Sequence, residues 1–215
     1  MEALITDLEN RTEFFKKIGP DAAEKMSKAL QNLTGEDIKV KFSSVETFEQ
    51  NTVSVETNEK CFGSYLSFTS STSIPTLGQG NFEGIVVAAF PMASTKTLTE
   101  LLLKRYLKKP NKEKADDTMK LSAFKEAVNI LVLTYIAEAA NTLKVKLQTG
   151  VPKFACFRNV ELSKPALLTD GLSQDSLVSV GQFSINVANT KSYKGAQRPK
   201  ESSSSFIKGR FIVVY

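Results

Sequence analysis

The chain has 215 residues, 41% hydrophobic and 24% charged, with a formal net charge of +5, a balance that is typical of a globular protein and argues against extended disorder. Because it contains no histidine and only two cysteines, histidine-dependent triads, histidine-ligated zinc and a disulfide framework are excluded. No apolar run reaches the length of a membrane span and Met1–Asp7 does not resemble a secretion signal, so we expect a soluble, cytoplasmic protein.

The first part of the chain predicts a helix followed by strands. Helical periodicity extends over about Glu13–Leu33, where Pro20 is expected to kink or restart the helix and Gly35 to end it. Short runs of alternating or β-branched residues predict strands, and a Ser/Thr/Gly-rich segment predicts a loop. The strands are Ile38–Phe42, Thr52–Val55, Phe62–Phe68 and Gly84–Phe90, and the loop is Ser70–Asn81.

A second helix is predicted next, and a basic segment follows it. Ser94 or Thr95 is expected to cap this helix, which should end near Leu107. The basic stretch Lys104–Lys114 is typical of a helix end that continues into a solvated linker. We expect no nucleic-acid binding, because the basic residues elsewhere lack interleaved aromatic side chains. A mildly basic surface suits an acidic protein partner equally well.

The last part of the chain loosely repeats the first. A long helix is predicted over about Asp117–Leu143. Extended segments are predicted at Leu147, Val151–Phe157, Leu177–Val187 and Phe206–Tyr215, with a hairpin loop at Ser202–Ser205. Because Phe82–Phe90 resembles Ile207–Tyr215, we expect one α+β domain over residues 1–215, built from pseudo-repeats at about 10–107 and 115–215.

The long helix predicted over Asp117–Leu143 carries a polar group away from its apolar stripe. Ser122, Glu126 and Asn129 fall within about 60° of one another on a helical wheel. The ordinary interpretation of such a group is a solvated helix face. Further along this side come small or apolar residues, which are expected to pack against the first helix: Leu133, Ala137 and Ala140. The core stripe is expected to contain Phe124, Val128, Leu131, Val132, Tyr135, Ala139 and Leu143.

The spacing of four residues favours a functional interpretation. Ser122, three residues, Glu126, two residues, Asn129, twenty-two residues and Pro152 follow one another in order. This pattern resembles the signature of the CheC/CheX/FliY family of chemotaxis phosphatases, and the resemblance extends over essentially the whole chain. It implies a CheC-like α+β domain with a pseudo-twofold internal repeat, in which long helices pack on a mainly antiparallel sheet.

The resemblance also implies an activity, which is hydrolysis of the phosphoaspartate of a CheY-type response regulator. Asn129 would orient the attacking water, and Glu126 would dock the partner by pairing with one of its lysines. Ser122 would contact the partner or cap the helix, and Pro152 would have a supporting structural role. The chain would need no cofactor and no metal of its own, because the Mg²⁺ belongs to the response regulator.

A first copy of the pattern is degenerate. Glu13, Lys17, Pro20 and Ser43 take the four positions at the same spacing. Lysine reverses the required charge and proline offers no side-chain amide, so we predict one working site and one degenerate site. The alternative is a catalytically weak binding or adaptor module of the chemotaxis system, since family members bind CheD and some relatives belong to the flagellar switch.

Overall fold

The computed structural model describes residues 2–49, 59–74, 78–107, 115–157, 177–188 and 205–214. Within these ranges the chain forms three helices and seven strands. In order they are α1 (Glu2–Thr34), β1 (Ile38–Glu49), β2 (Cys61–Ile74), β3 (Gly78–Pro91), α2 (Met92–Leu107), α3 (Asp117–Leu143), β4 (Leu147–Thr149), β5 (Lys153–Phe157), β6 (Leu177–Val187) and β7 (Ser205–Val214). Among the described residues, no helix is long and apolar enough to cross a membrane.

The strands form a single sheet in which every described pair is antiparallel. Its order is β1-β6-β7-β3-β2-β4, and β5 also pairs with β2. The α+β class and the mainly antiparallel sheet are therefore confirmed. With β5 as the neighbour of β2, the order is β1-β6-β7-β3-β2-β5. If α1, β1, β2 and β3 correspond to α3, β5, β6 and β7, this order is the same when it is read from either edge of the sheet. The internal repeat stays a prediction, which this order favours.

The main core lies between the helices and one face of the sheet. At its centre the ring of Phe211 stacks on Tyr135 of α3 at 4.9 Å between centroids and on Phe183 at 4.8 Å. Phe42 of β1 stacks on Phe211 at 5.9 Å. Every buried residue here comes from a strand position that faces the helices or from the inner stripe of a helix, as burial of apolar area requires.

The opposite face of the sheet is not covered by α1, α2 or α3, and it divides into two halves. One half is an apolar cluster of buried side chains from Cys61, Val87, Ala89, Val178, Ile212 and Val214. The other half, on β1, β6 and β7, carries polar and basic side chains, most of which are exposed. An antiparallel sheet tolerates such a solvated face, because its backbone groups are already paired in the ladder.

One predicted helix matches the structure closely, and another matches it at its C-terminal end. α3 has the predicted bounds, with Asp116 as its N-cap and Lys144 in the left-handed conformation at its C-cap. The expected stop at Gly35 is also confirmed, because its N–H donates to the Gln31 carbonyl at 2.7 Å and its φ is 72°. α1 starts earlier than predicted and continues through Pro20, so the predicted restart there is wrong.

The predicted loop at Ser70–Asn81 is wrong at both of its ends, and its middle, residues 75–77, lies outside the described residues. β2 continues to Ile74 and β3 begins at Gly78, and the two strands pair out to Ser73–Asn81 and Ile74–Gly78. The ladder supplies the backbone hydrogen bonds there, so a polar, Gly-containing sequence forms strand despite its composition. The predicted strand at Thr52–Val55 and residues 202–204 of the predicted hairpin loop lie outside the described residues, whereas Ser205 begins β7.

The predicted cap of the second helix is also wrong. α2 begins at Met92, two residues before Ser94. The Ser94 hydroxyl instead accepts a hydrogen bond from the backbone N–H of Lys208 at 3.1 Å, and the Thr95 hydroxyl donates to the Pro91 carbonyl at 3.2 Å. Ser94 therefore joins this helix to β7, Thr95 bonds to the carbonyl four residues before it, and neither hydroxyl caps the helix. Lys104, near its other end, pairs with Glu36 at 2.8 Å.

The centre of β2 leaves no room for a side chain at Gly63. A Cβ there would overlap the backbone carbonyl oxygen of Ala88 in β3. Gly63 pairs with Ala89 on one side and Ala155 on the other, so neither neighbouring strand can move away freely. We expect Gly63→Ala to lower the free energy of unfolding by about 2–3 kcal/mol, as overpacking of a dense interior does. Urea denaturation measures this change.

Gly150→Ala is the matched control for this substitution. Its Cβ would meet the side-chain hydroxyl of Ser67, an exposed group that can rotate away. We expect its free energy of unfolding to stay within about 0.5 kcal/mol of wild type. Equal losses in the two variants would contradict the argument, because both remove the same backbone freedom.

Candidate functional site

α3 presents one face to the core and another to solvent. Phe124 is buried against Phe62 and Phe90, at 5.3 and 5.6 Å between ring centroids. Buried Glu138 forms an ion pair with Lys25 of α1, which joins the two long helices. Among the predicted stripe residues, Leu143 is half-buried, and the other six are buried. The predicted core face of α3 is therefore confirmed.

The solvent side of α3 holds the predicted polar group. Ser122 and Glu126 are exposed, and Asn129 is half-buried. Residues three apart on a helix are neighbours, so Glu126 and Asn129 share one turn of the surface. Leu133 and Ala137 are also exposed, so the expectation that they pack against the first helix is wrong, whereas Ala140 is half-buried.

The side-chain oxygen of Asn129 has no hydrogen-bond partner and almost no accessible surface. Among the described residues it shares this state only with the hydroxyl of Ser64. A buried carbonyl oxygen without a partner costs about 1–3 kcal/mol, so such groups are rare unless water or another molecule satisfies them. A carboxamide both accepts and donates hydrogen bonds, which suits it to hold a water molecule or a partner's polar group.

Ser122 does not cap α3. The cap is Asp116, whose carboxylate accepts a hydrogen bond from the Met119 N–H at 2.7 Å. Ser122 lies more than one turn further along and is exposed, which leaves contact with a partner as the open alternative. Asp116 was recognisable from sequence as an acidic residue preceding an apolar helix, which is a standard N-cap signal.

Pro152 lies between β4 and β5, which both pair with β2. Its half-buried ring separates the exposed Val151 from the first residue of β5. Just before it, Gly150 donates its N–H to the Ser67 carbonyl at 2.9 Å. This placement is compatible with the expected supporting role, which is to fix the turn from one short strand into the next.

The four residues of the degenerate first site all lie on the surface. Glu13, Lys17 and Pro20 are exposed on α1, and Ser43 is exposed at a bulge of β1. The Ser43 hydroxyl donates to the Gln182 carbonyl at 3.2 Å. None of these four residues carries a carboxamide, so the degenerate site has no counterpart to Asn129.

Groups of acidic residues and thiols that could hold a metal do not occur within the described ranges. Cys61 is buried, and Cys156 is exposed. Burial raises the pKa of the Cys61 thiol, the charge of Glu59 raises it further, and Arg210 opposes them. A thiol with a raised pKa is a poor nucleophile at neutral pH.

No protein-family model matches the chain, and no curated protein matches it in sequence. Solved structures do match. FliY from Thermotoga maritima has a TM-score of 0.59 and 17% sequence identity, and the match covers 94% of this chain and 89% of that one. The chain has the fold of FliY. The FliM middle domain from Vibrio alginolyticus follows, with a TM-score of 0.51, 14% identity and coverage of 94% and 92%.

A third solved structure has a similar fold. A chain of the FliG–FliM complex from H. pylori has a TM-score of 0.50 and 9% identity, with coverage of 98% of this chain and 92% of that one. The CheC-like fold that the spacing of Ser122, Glu126, Asn129 and Pro152 implied is therefore confirmed. At sequence identities of 17% and 14%, the similarity to FliY and to the FliM middle domain establishes a shared fold.

Proposed function

We propose that the chain is a phosphatase for the phosphoaspartate of a CheY-type response regulator, and that α3 carries its working site. One observation carries the proposal: an unpartnered carboxamide at Asn129 shares a helix turn with the exposed carboxylate of Glu126. The spacing to Ser122 and Pro152 supports it, since it follows the CheC/CheX/FliY pattern. The FliY fold supports it as well.

The chain does not need to form a covalent intermediate, because an acyl phosphate is already activated for hydrolysis. The site must place a water molecule in line with the phosphorus and support the developing charge. The carboxamide of Asn129 can accept a hydrogen bond from that water without adding negative charge beside the phosphate. Rotation about its terminal torsion, which is soft in asparagine, would bring the buried oxygen to the surface when the partner docks.

Glu126 has a different role in this proposal. A carboxylate beside a phosphoryl group would repel it, so direct contact is unfavourable. Pairing with a lysine of the response regulator instead uses its exposed position and fixes the orientation of the two proteins. The Mg²⁺ belongs to the regulator in this proposal, and the chain positions the partner and the attacking water.

Phosphate release from a phosphorylated CheY-type regulator tests the proposal directly. The purified chain is mixed with the phosphorylated regulator and Mg²⁺, and inorganic phosphate is followed with time. We expect release to be faster than the regulator's own decay and to saturate with regulator concentration. Unchanged decay at all concentrations of the chain would refute the proposal.

Lys17→Ala is expected to change this rate by less than about twofold, because exposed Lys17 belongs to the degenerate site on α1. The same phosphate-release assay measures it. A large loss would place the working site on α1 and contradict the assignment to α3.

A binding module is the second candidate. Two exposed leucines flank the polar group on α3, since Leu121 is 42% and Leu133 is 44% exposed. One FliM-containing match is a complex with FliG, which makes a flagellar-switch protein one candidate partner. The resemblance to the CheC/CheX/FliY family makes CheD the other. Stable binding of CheD or a switch protein without accelerated phosphate release would favour this function over the first.

A further inference from the structure

The face of the sheet opposite the helices carries a group of cations, which we name the basic sheet face: Lys39, Lys41, Lys208 and Arg210. Lys41, Ser184 and Lys208 lie on one rung across β1, β6 and β7, and Arg210 lies on the next rung opposite Gln182. Partners across an antiparallel pair point to the same side, so these side chains share one surface.

The basic sheet face is open to solvent. Lys39, Lys41 and Lys208 are exposed and Arg210 is half-buried. None of the four forms an ion pair with another described residue, whereas five lysines on the helices pair with acidic side chains: Lys25, Lys28, Lys96, Lys104 and Lys120. Among the described residues of this face, the acidic side chains lie at its margins, in Asp37, Glu46 and Glu59. Such unpaired like charges repel one another, and binding of an acidic partner would relieve this repulsion.

A cleft of about 400 Å³ opens into this face. Its lining includes Arg210, Lys208, Gln182, Ser184, Ser43 and, at one side, Glu59. The guanidinium of half-buried Arg210 is partly withdrawn from water, so an entering carboxylate would meet a stronger and bidentate hydrogen-bonding partner there than on the open surface.

We propose that the basic sheet face docks an extended acidic segment of a protein partner, with one carboxylate entering the cleft against Arg210. Successive same-side residues of an extended chain are about 7 Å apart, which is also the spacing from Lys208 to Arg210 and from Lys39 to Lys41 along their strands. The hydroxyl and amide groups of Ser184, Asn186 and Gln182 lie between the cations and can donate hydrogen bonds to carboxylates.

The observations favour a protein segment over a nucleic acid. Binding of single strands relies on aromatic side chains on which bases stack. Among the described residues of this face, the exposed aromatic ring is that of Phe206, and the Lys208 ammonium already lies over it at 5.6 Å from the centroid. The surface therefore offers charge and hydrogen-bond donors, with little area for stacking.

Fluorescence anisotropy with labelled deca-glutamate tests the proposal on the full chain at low salt. We expect binding that weakens as salt is raised, and at least about tenfold weaker binding to the double variant Lys41→Glu/Lys208→Glu. The matched control is Lys16→Glu/Lys146→Glu, which changes the net charge equally at exposed positions away from this face. It should lose less than about twofold in affinity.

Three outcomes would overturn the proposal. These are no binding of deca-glutamate to wild type, equal weakening in the two double variants, and tighter binding of a single-stranded DNA of the same charge that depends on Lys41 and Lys208. Amide chemical-shift changes in wild type provide a second measurement that needs no variant, and they should concentrate at Ser184, Gly209 and Arg210. The proposal is independent of the phosphatase function, because α3 lies on the other side of the sheet; phosphate release by Lys41→Glu/Lys208→Glu should equal that of wild type.

Discussion

Replacing Asn129 by alanine should remove at least about 99% of the accelerated phosphate release from the phosphorylated response regulator. A loss of this size corresponds to about 2.7 kcal/mol of transition-state stabilisation, in the range found when one positioned polar group is removed from an active site. In the proposed mechanism no other neutral polar side chain can take this role, because Ser122 is about two turns from Asn129 and Glu126 would bring a negative charge beside the phosphate. Single-turnover measurement of phosphate release gives the rate.

The same substitution should not destabilise the protein. It removes a buried oxygen that has no partner, and alanine is the better helix former by about 0.6 kcal/mol. We therefore expect the free energy of unfolding in urea to stay the same or rise while activity is lost, as is common for residues kept for function. A fall in stability would instead indicate that Asn129 has a structural role.

Asn141→Ala is the matched control on the same helix. Asn141 is exposed in the last turn of α3, far along the helix from Glu126. Phosphate release should stay within about twofold of wild type in this variant. If Asn129→Ala and Asn141→Ala behaved alike, the proposed role of the Asn129 carboxamide would have to be abandoned.

The largest loss of stability is expected for Phe211→Ala. This ring is 1% exposed and stacks between Tyr135 of α3, Phe183 of β6 and Phe42 of β1. Its removal would leave a cavity that stacked rings around it cannot easily fill, so we expect a loss of about 3–5 kcal/mol in the free energy of unfolding. Urea denaturation with an unchanged slope measures it, and the melting temperature should fall by roughly 10 °C.

Phe206→Ala makes the same chemical change on the same strand at a residue that is 52% exposed. Its free energy of unfolding should fall by less than about 1 kcal/mol, because little apolar area leaves the interior. Comparable losses at Phe206 and Phe211 would mean that β7 contributes its stability through pairing rather than through the core.

The sequence predicted the long helices and most strands because their patterns are local. α3 combines a complete apolar stripe with an acidic cap, and the alternation in Leu177–Val187 matches a strand with one face on the core. The pairing of the β2 and β3 ends, Ser73 with Asn81 and Ile74 with Gly78, could not be predicted, because it depends on the ladder between the two strands rather than on propensity. Ser94 was misassigned for a similar reason, since its partner, Lys208, is distant in sequence.

The position of the candidate site on α3 could be predicted from the sequence, but the burial of its side chains could not. The spacing of Glu126 and Asn129 places them on one turn, as the structure has them. A helical wheel gives the direction of a side chain, but it does not show which neighbouring groups cover that side chain. It could therefore not indicate that the Asn129 oxygen is shielded from solvent. The basic sheet face was equally inaccessible, because its cations come from strands that are about 170 residues apart in sequence.

The position of β7 determines how the chain can fold. β7 lies between β6 and β3, and β6 in turn pairs with β1, so the central ladders join residues from opposite ends of the sequence. Closing such long loops gives a high contact order and slow folding. While β7 is still being synthesised, the edge of β3 has no partner on that side, and the nascent chain is open to association with other strands. We therefore expect the chain to depend on chaperones during synthesis and to aggregate when it is truncated before β7.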